Sequence, residues 1–221
     1  MSGNLTMEPV YMHLSKPSGL LPEGVSRFWG APDLPSGCRY PCYMDDAGDE
    51  YPYFFVCQIN LGEFAPYDVG SMLPHEGMLY FFAKIDCYAG YGDATECIGG
   101  CISGSDAVRV VYSPSCEGLK EAVLADGQLF PCFPGPLRIH FSHEPGELLD
   151  EHAVFASPVH RPWETWDPPF EDWMILLQVD SFEGEDFSLN FMDTGVLDFL
   201  ISPHDLEKSD FSDVRAIVLS S

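Results

Sequence analysis

Lysine and arginine are scarce in this chain, ten of 221 residues against 35 aspartates and glutamates, for a formal net charge of −25. So few cations exclude direct nucleic-acid binding, because neutralising phosphates takes clustered basic side chains. Long apolar runs are missing too. No stretch of about 18 apolar residues occurs, so no membrane-spanning helix is expected. A basic leader followed by an apolar segment is also lacking, and a soluble, cytoplasmic protein is expected. The sequence holds no Gly-x-Ser-x-Gly elbow, phosphate-binding Gly-rich loop ending in Gly-Lys, dinucleotide fingerprint or His-Glu-x-x-His helix. Nucleophilic catalysis, nucleotide binding and zinc-dependent hydrolysis therefore have no motif to rest on, and no cofactor or metal is assigned.

What is present points to a β-rich fold. Hydrophobic residues make up 46% of the chain, enough for one well-buried core, so residues 1–221 are read as a single domain. Glycine (20) and proline (19) are over-represented, which favours short elements joined by turns. The expected class is α+β, predominantly β, with few short helices.

A motif occurs twice, 120 residues apart. Gln58-Ile59-Asn60-Leu61-Gly62-Glu63, then Gly77-Met78-Leu79-Tyr80-Phe81-Phe82, is echoed by Gln178-Val179-Asp180-Ser181-Phe182-Glu183, then Gly195-Val196-Leu197-Asp198-Phe199-Leu200. Each copy reads as an apolar strand ending in glutamine, an acidic connection, and Gly-x-Leu-x-Phe opening another strand. An internal duplication of a strand–connection–strand unit about a pseudo-twofold follows, with repeats at about 26–112 and 155–221. A buried primary amide must satisfy two donors and an acceptor oxygen, so Gln58 and Gln178 are expected to hold backbone groups. Gly77 and Gly195 are expected at a bulge or a tight entry into a strand.

Further elements follow from local signals. Asn60 with Glu63 three residues on predicts a capped turn of helix, and Ser202-Pro203 predicts a second helix reaching about Lys208. Leu119, Ala122 and Val123 have helical spacing, which predicts a helix between Cys116 and Asp126. Val10 to Leu14, Val108 to Tyr112, Leu137 to Phe141 and Val214 to Leu219 read as strands. Residues from Glu144 to the second motif copy read as an acidic linker.

Two constellations invite a functional reading. Trp163, Trp166 and Trp173 stand among Glu164, Asp167, Glu171 and Asp172, where indole faces and carboxylates together suit a Lys or Arg side chain at about 0.5–2 kcal/mol per cation–π contact. Between Glu144 and Asp213 there are 18 acidic residues and two basic ones, Arg161 and Lys208, so a basic partner would be steered to this half. The pairs Cys38-x₃-Cys42 and Cys97-x₃-Cys101 are one residue longer than a zinc knuckle, and the eight cysteines are expected as thiols in a reducing compartment. The expected function is a non-enzymatic binding module for a basic protein or peptide, of which an immunity-type protein is one version. The alternative is a carboxylate-based enzyme acting on a carbohydrate or other small polar substrate in a cleft between the halves.

Gly30-Ala31-Pro32-Asp33-Leu34-Pro35, Gln58-Ile59-Asn60-Leu61, Leu73-Pro74-His75-Glu76-Gly77, Leu176-Leu177-Gln178-Val179-Asp180-Ser181 and Asp210-Phe211-Ser212-Asp213-Val214 resemble the YwqG-like family, bacterial proteins of no established activity. The resemblance implies a single α+β domain with an internal duplication and supplies no catalytic residues. The chain departs from the family at Ala156-Ser157-Pro158-Val159-His160-Arg161, where a Gly-x-Pro followed by a hydrophobic-Gln pair is common.

Overall fold

A computed structural model describes residues 8–90, 98–124, 134–146, 152–158, 166–184 and 188–220. In chain order the elements are β1 (Val10–Ser15), β2 (Arg27–Phe28), β3 (Asp33–Pro35), β4 (Cys42–Met44), β5 (Glu50–Pro52), β6 (Phe54–Asn60), α1 (Leu61–Phe64), β7 (Met78–Ala83) and β8 (Val108–Ser113). They continue as β9 (Leu119–Glu121), β10 (Leu137–Ser142), β11 (Ala153–Val154), β12 (Met174–Asp180), β13 (Phe182–Glu183), β14 (Ser188–Leu189), β15 (Val196–Ile201), α2 (Pro203–Glu207) and β16 (Arg215–Leu219). The fold is predominantly β, and the α content of the described residues is two single-turn helices.

Ten strands form one antiparallel sheet in the order β16-β15-β12-β11-β1-β10-β2-β6-β7-β8. The sheet curls until its flanks meet. Phe81 on β7 and Phe199 on β15 are separated by six strands in the sheet, yet their rings lie 5.3 Å apart, edge to face. Phe28 on β2 likewise meets His152, just ahead of β11, at 5.1 Å. The result is a nearly closed barrel. Its seam is covered by residues 99–103, whose backbone accepts from Val218 N and donates to Ala216 O along the free edge of β16 before the chain turns into β8.

The strands β6, β7 and β15 are buried along nearly their whole length because they are covered on both faces. Such strands carry apolar residues continuously rather than alternately. Inward residues such as Ile59, Phe81, Leu197 and Phe199 fill the barrel. Outward residues on the first flank, including Phe55, Tyr80 and Phe82, pack under Leu34 and Leu119 of the β3–β9 ladder and the tyrosines beside the β4–β5 hairpin. On the second flank Val196, Leu200 and Ile217 pack under Trp166, with Trp173 and Phe170 at the margin.

The two flanks share details. Both β6–β7 and β12–β15 shift register two residues before the motif glutamine, at Phe55/Cys57 and Ile175/Leu177. The extra residue in each case, Val56 or Leu176, accepts a backbone hydrogen bond from Trp29 N (2.9 Å) or Phe155 N (3.2 Å). Those two donors adopt left-handed backbone, with φ of 57° and 56°. Bulky residues rarely stand there, at a cost of about 1–2 kcal/mol.

Both predicted helix starts are present. Asn60 Oδ1 accepts from Gly62 N and Glu63 N, and Ser202 Oγ accepts from Asp205 N. The reciprocal arm of the first capping box is diverted, because Glu63 accepts from Ser26 N and pairs with Arg138. The predicted helix from Cys116 to Asp126 is a correction: residues 119–121 form β9, paired with β3, and Val123 is 86% exposed. Its apolar spacing served a strand burying Leu119 against Leu34 rather than a helix face. The acidic linker contains β11, which joins β1 to β12. The cysteines differ from the expectation at one position: Cys38, Cys42, Cys57, Cys101 and Cys116 stand outside any disulfide, whereas Cys87 is disulfide-bonded.

Candidate functional site

Three strands place a polar row on the outer face of the first flank. Arg27 on β2 lies opposite Gln58 on β6, which lies opposite Tyr80 on β7. All three side chains converge on Asp33. Its Oδ2 accepts from Arg27, from Gly24 N at 2.8 Å and from Gln58 Nε2 at 2.9 Å. Gln58 Oε1 accepts from Asp33 N at 2.8 Å, Gln58 Nε2 also donates to Val25 O, and Tyr80 donates to Asp33 O. Arg27 and Asp33 are almost fully buried, so the carbonyls of Pro22 and Ala31 around the guanidinium, and the two N–H donors on the carboxylate, stand in for solvent about the ion pair. This row ties the Pro-rich segment 32–35 to the sheet.

The second flank has the same register with different residues. Ala153 on β11 lies opposite Gln178 on β12, which lies opposite Asp198 on β15. Ala153 thus stands where Arg27 does, and Asp198 where Tyr80 does. Leu197 and Phe199 point into the barrel, so Asp198 between them points outward, alongside Val196 and Leu200. It is 1% exposed, and among the described residues neither carboxylate oxygen meets a hydrogen-bond donor. Burial pushes its pKa up to about 8. A buried acid without a cation is costly in its ionised form, so Asp198 keeps its proton at neutral pH.

The segment over this face carries the residues singled out by sequence. Trp163 and Glu164 lie outside the described residues. Trp166 is buried, donating its Nε1–H to Trp173 O at 3.0 Å, and Trp173 is half-buried with its ring 4.9 Å from Phe170, edge to face. Asp167, Glu171 and Asp172 are exposed on the turn that links them. Arg215 reaches over the Phe170 ring at 5.9 Å and pairs with Asp213. Acidic groups thus rim an aromatic cap on the face to which Asp198 points.

Gly77 and Gly195 sit immediately before β7 and β15. A Cβ on Gly77 would lie 2.1 Å from Ser113 O, and one on Gly195 would lie 2.0 Å from Leu219 O. Each therefore lets the last carbonyl of an outer strand, β8 or β16, approach a backbone closely. Cys38 and Cys42 are on the first flank, Cys101 is exposed beside β16, and Cys97 lies outside the described residues. Among the described residues no group of three or more His, Cys, Asp or Glu is placed to hold a metal, and no helix is long and apolar enough to cross a membrane.

A family model described as Domain of unknown function (DUF1963) matches residues 26–154 and 152–218. The chain belongs to this family. Among curated proteins none matches it. The two DUF1963 matches meet at β11, the strand that opens the polar row of the second flank. Sequence reasoning missed Asp198, although a signal was there: it is the one charged residue in the otherwise apolar run Val196 to Ile201.

Proposed function

We propose that this DUF1963 member is a YwqG-like, cytoplasmic, non-enzymatic binding module whose second flank engages a basic protein or peptide. The observation that carries the reading is Asp198, a buried carboxylate with no donor among the described residues, beneath a cap rimmed by Asp167, Glu171 and Asp172. On the first flank the equivalent row contains its own cation, Arg27. On the second that place is taken by Ala153, so the row holds no cation of its own and Asp198, protonated at neutral pH, ionises only when a cation approaches from outside. The net charge of −25 adds long-range attraction for a basic partner. The matching strand orders, register shifts and left-handed donors of the two flanks further support an internal duplication about a pseudo-twofold.

A fluorescein-labelled oligolysine peptide tests the assignment. Its affinity should fall steeply with added salt, and the D167N/E171Q/D172N variant should bind at least about tenfold more weakly. Neutralising Asp45, Asp46 and Asp49 in the β4–β5 turn should cost less than about threefold. Equal losses in the two variants would mean diffuse charge attraction and would refute a site at the cap.

A further inference from the structure

The first flank carries a cavity of about 440 Å³ between the end of β3, the β4–β5 hairpin and β8. That volume falls in the range of small-molecule sites, about 300–1,000 Å³. Leu34, Val111 and the Tyr40 ring give it apolar walls. The Tyr40 hydroxyl is committed elsewhere, donating to Tyr53 O at 2.8 Å, so the ring offers the cavity its carbon surface.

The charged groups of the lining are Arg39, Arg109 and Glu50. Arg39 pairs with Glu50 at 2.5 Å on an exposed rim. Arg109 projects from β8 and is exposed, and its guanidinium has no carboxylate within ion-pair reach among the described residues. In a chain with 35 acids and ten bases, a guanidinium left without an acid beside an apolar hollow stands out from its surroundings. Two arginines against one carboxylate make this hollow locally cationic on a strongly anionic molecule.

We infer that the cavity binds a small organic anion, a carboxylate or phosphate monoester on a flat apolar body. The body would lie against Tyr40, Leu34 and Val111, and the anionic end would take the two N–H donors of Arg109 in a bidentate pair. Arg39 joins it by exchanging Glu50 for the ligand. The site lies on the flank opposite the Trp-capped face and stands whether or not a basic partner binds there.

Titration of the full chain with phenyl phosphate, benzoate and phenol, followed by ligand-observed NMR and calorimetry, tests this. At least one of the two anions should bind at least about tenfold more tightly than phenol, and the better of them identifies the anionic group. Arg109→Ala should reduce that anion to the phenol level, Arg109→Lys should retain part of the gain, and the urea unfolding midpoint of both should match the parent. Glu50→Gln frees Arg39 and should tighten anion binding about threefold or more, a gain that no structural damage would produce. Equal binding of phenol and the anions, no binding at millimolar concentration, an unaffected Arg109→Ala variant, or weaker binding by Glu50→Gln would each overturn the inference.

Discussion

Asp198 occupies the position opposite Gln178 that Tyr80 occupies opposite Gln58, and the exchange replaces a satisfied hydroxyl with a carboxylate that meets no donor among the described residues. The row that pins a loop on one flank is thereby left charge-deficient on the other. Function is proposed where the two flanks diverge, because the shared register is what the scaffold needs and the departure is not.

Asp198 makes stability pH-dependent with a definite sign. Its folded pKa, pushed up to about 8 by burial, lies above the unfolded value of about 3.9. Between those values the native state keeps a proton that the unfolded chain has released, so stability falls as pH rises from about 4 to about 8 and then levels. Asp198→Leu removes the effect. Urea unfolding should show the variant gaining on the parent progressively from pH 5 to pH 9, by about 4 kcal/mol in all, the linkage equivalent of the roughly three pH units between pH 5 and the folded pKa. A difference independent of pH would show that Asp198 finds a counter-charge in solution.

His152 acts at the other end of the pH range. Its Nδ1 accepts from Asp180 N at 3.0 Å, its Nε2 meets no partner among the described residues, and burial against Phe28 pulls its pKa down to about 4. The unfolded chain, with a histidine near 6.5, binds a proton first, so stability falls as pH drops from about 6.5 toward 4. In His152→Gln the acid limb of the stability profile should be shallower than in the parent. An identical slope in both proteins would place the acid sensitivity elsewhere, among the carboxylates.

Much of this architecture was legible because the paired motif reports burial on two faces. The strands around Gln58 and Gln178, Gly77 and Gly195, and both helix caps follow from local pattern. What failed depended on distant partners. Residues 119–121 became a strand because β3, far away in sequence, offered a ladder, and two-residue β11 carries no periodicity at all. In sequence the tryptophans read as faces for a ligand, yet Trp166 is spent on the packing of Ile175, Val196 and Leu200, and only tertiary structure shows Asp198 on that side.

The paired glycines should respond unequally to alanine. Both collide with a backbone carbonyl at about the same separation, 2.1 Å for Gly77 and 2.0 Å for Gly195, but only Gly77 also has a positive φ, +92°. Thermal or urea unfolding should show both variants destabilised by at least about 2 kcal/mol, with Gly77→Ala worse by about another 1 kcal/mol for the left-handed backbone. Gly135→Ala, which meets nothing within 4 Å, is the neutral control. Unchanged stability of Gly195→Ala would mean that β16 can draw back at its end, and that the seam beside it is softer than the contact implies.

The Arg27–Asp33–Gln58 network is expected to behave as a unit. Arg27→Met leaves a buried carboxylate with its two neutral donors only, and breaking such a pair typically costs about 3–5 kcal/mol. Asp33→Asn strands the guanidinium instead and should cost a comparable amount. In the double variant neither charge remains, while Gly24 N and Gln58 Nε2 can still donate to the new amide oxygen at position 33, so the loss should be well below the sum of the singles. A double-mutant cycle by urea unfolding measures the coupling, expected at about 2 kcal/mol or more. Strict additivity would show that Arg27 is held by Pro22 O and Ala31 O, its two carbonyl acceptors, rather than by Asp33, and that the loop is anchored by Gln58 and Tyr80.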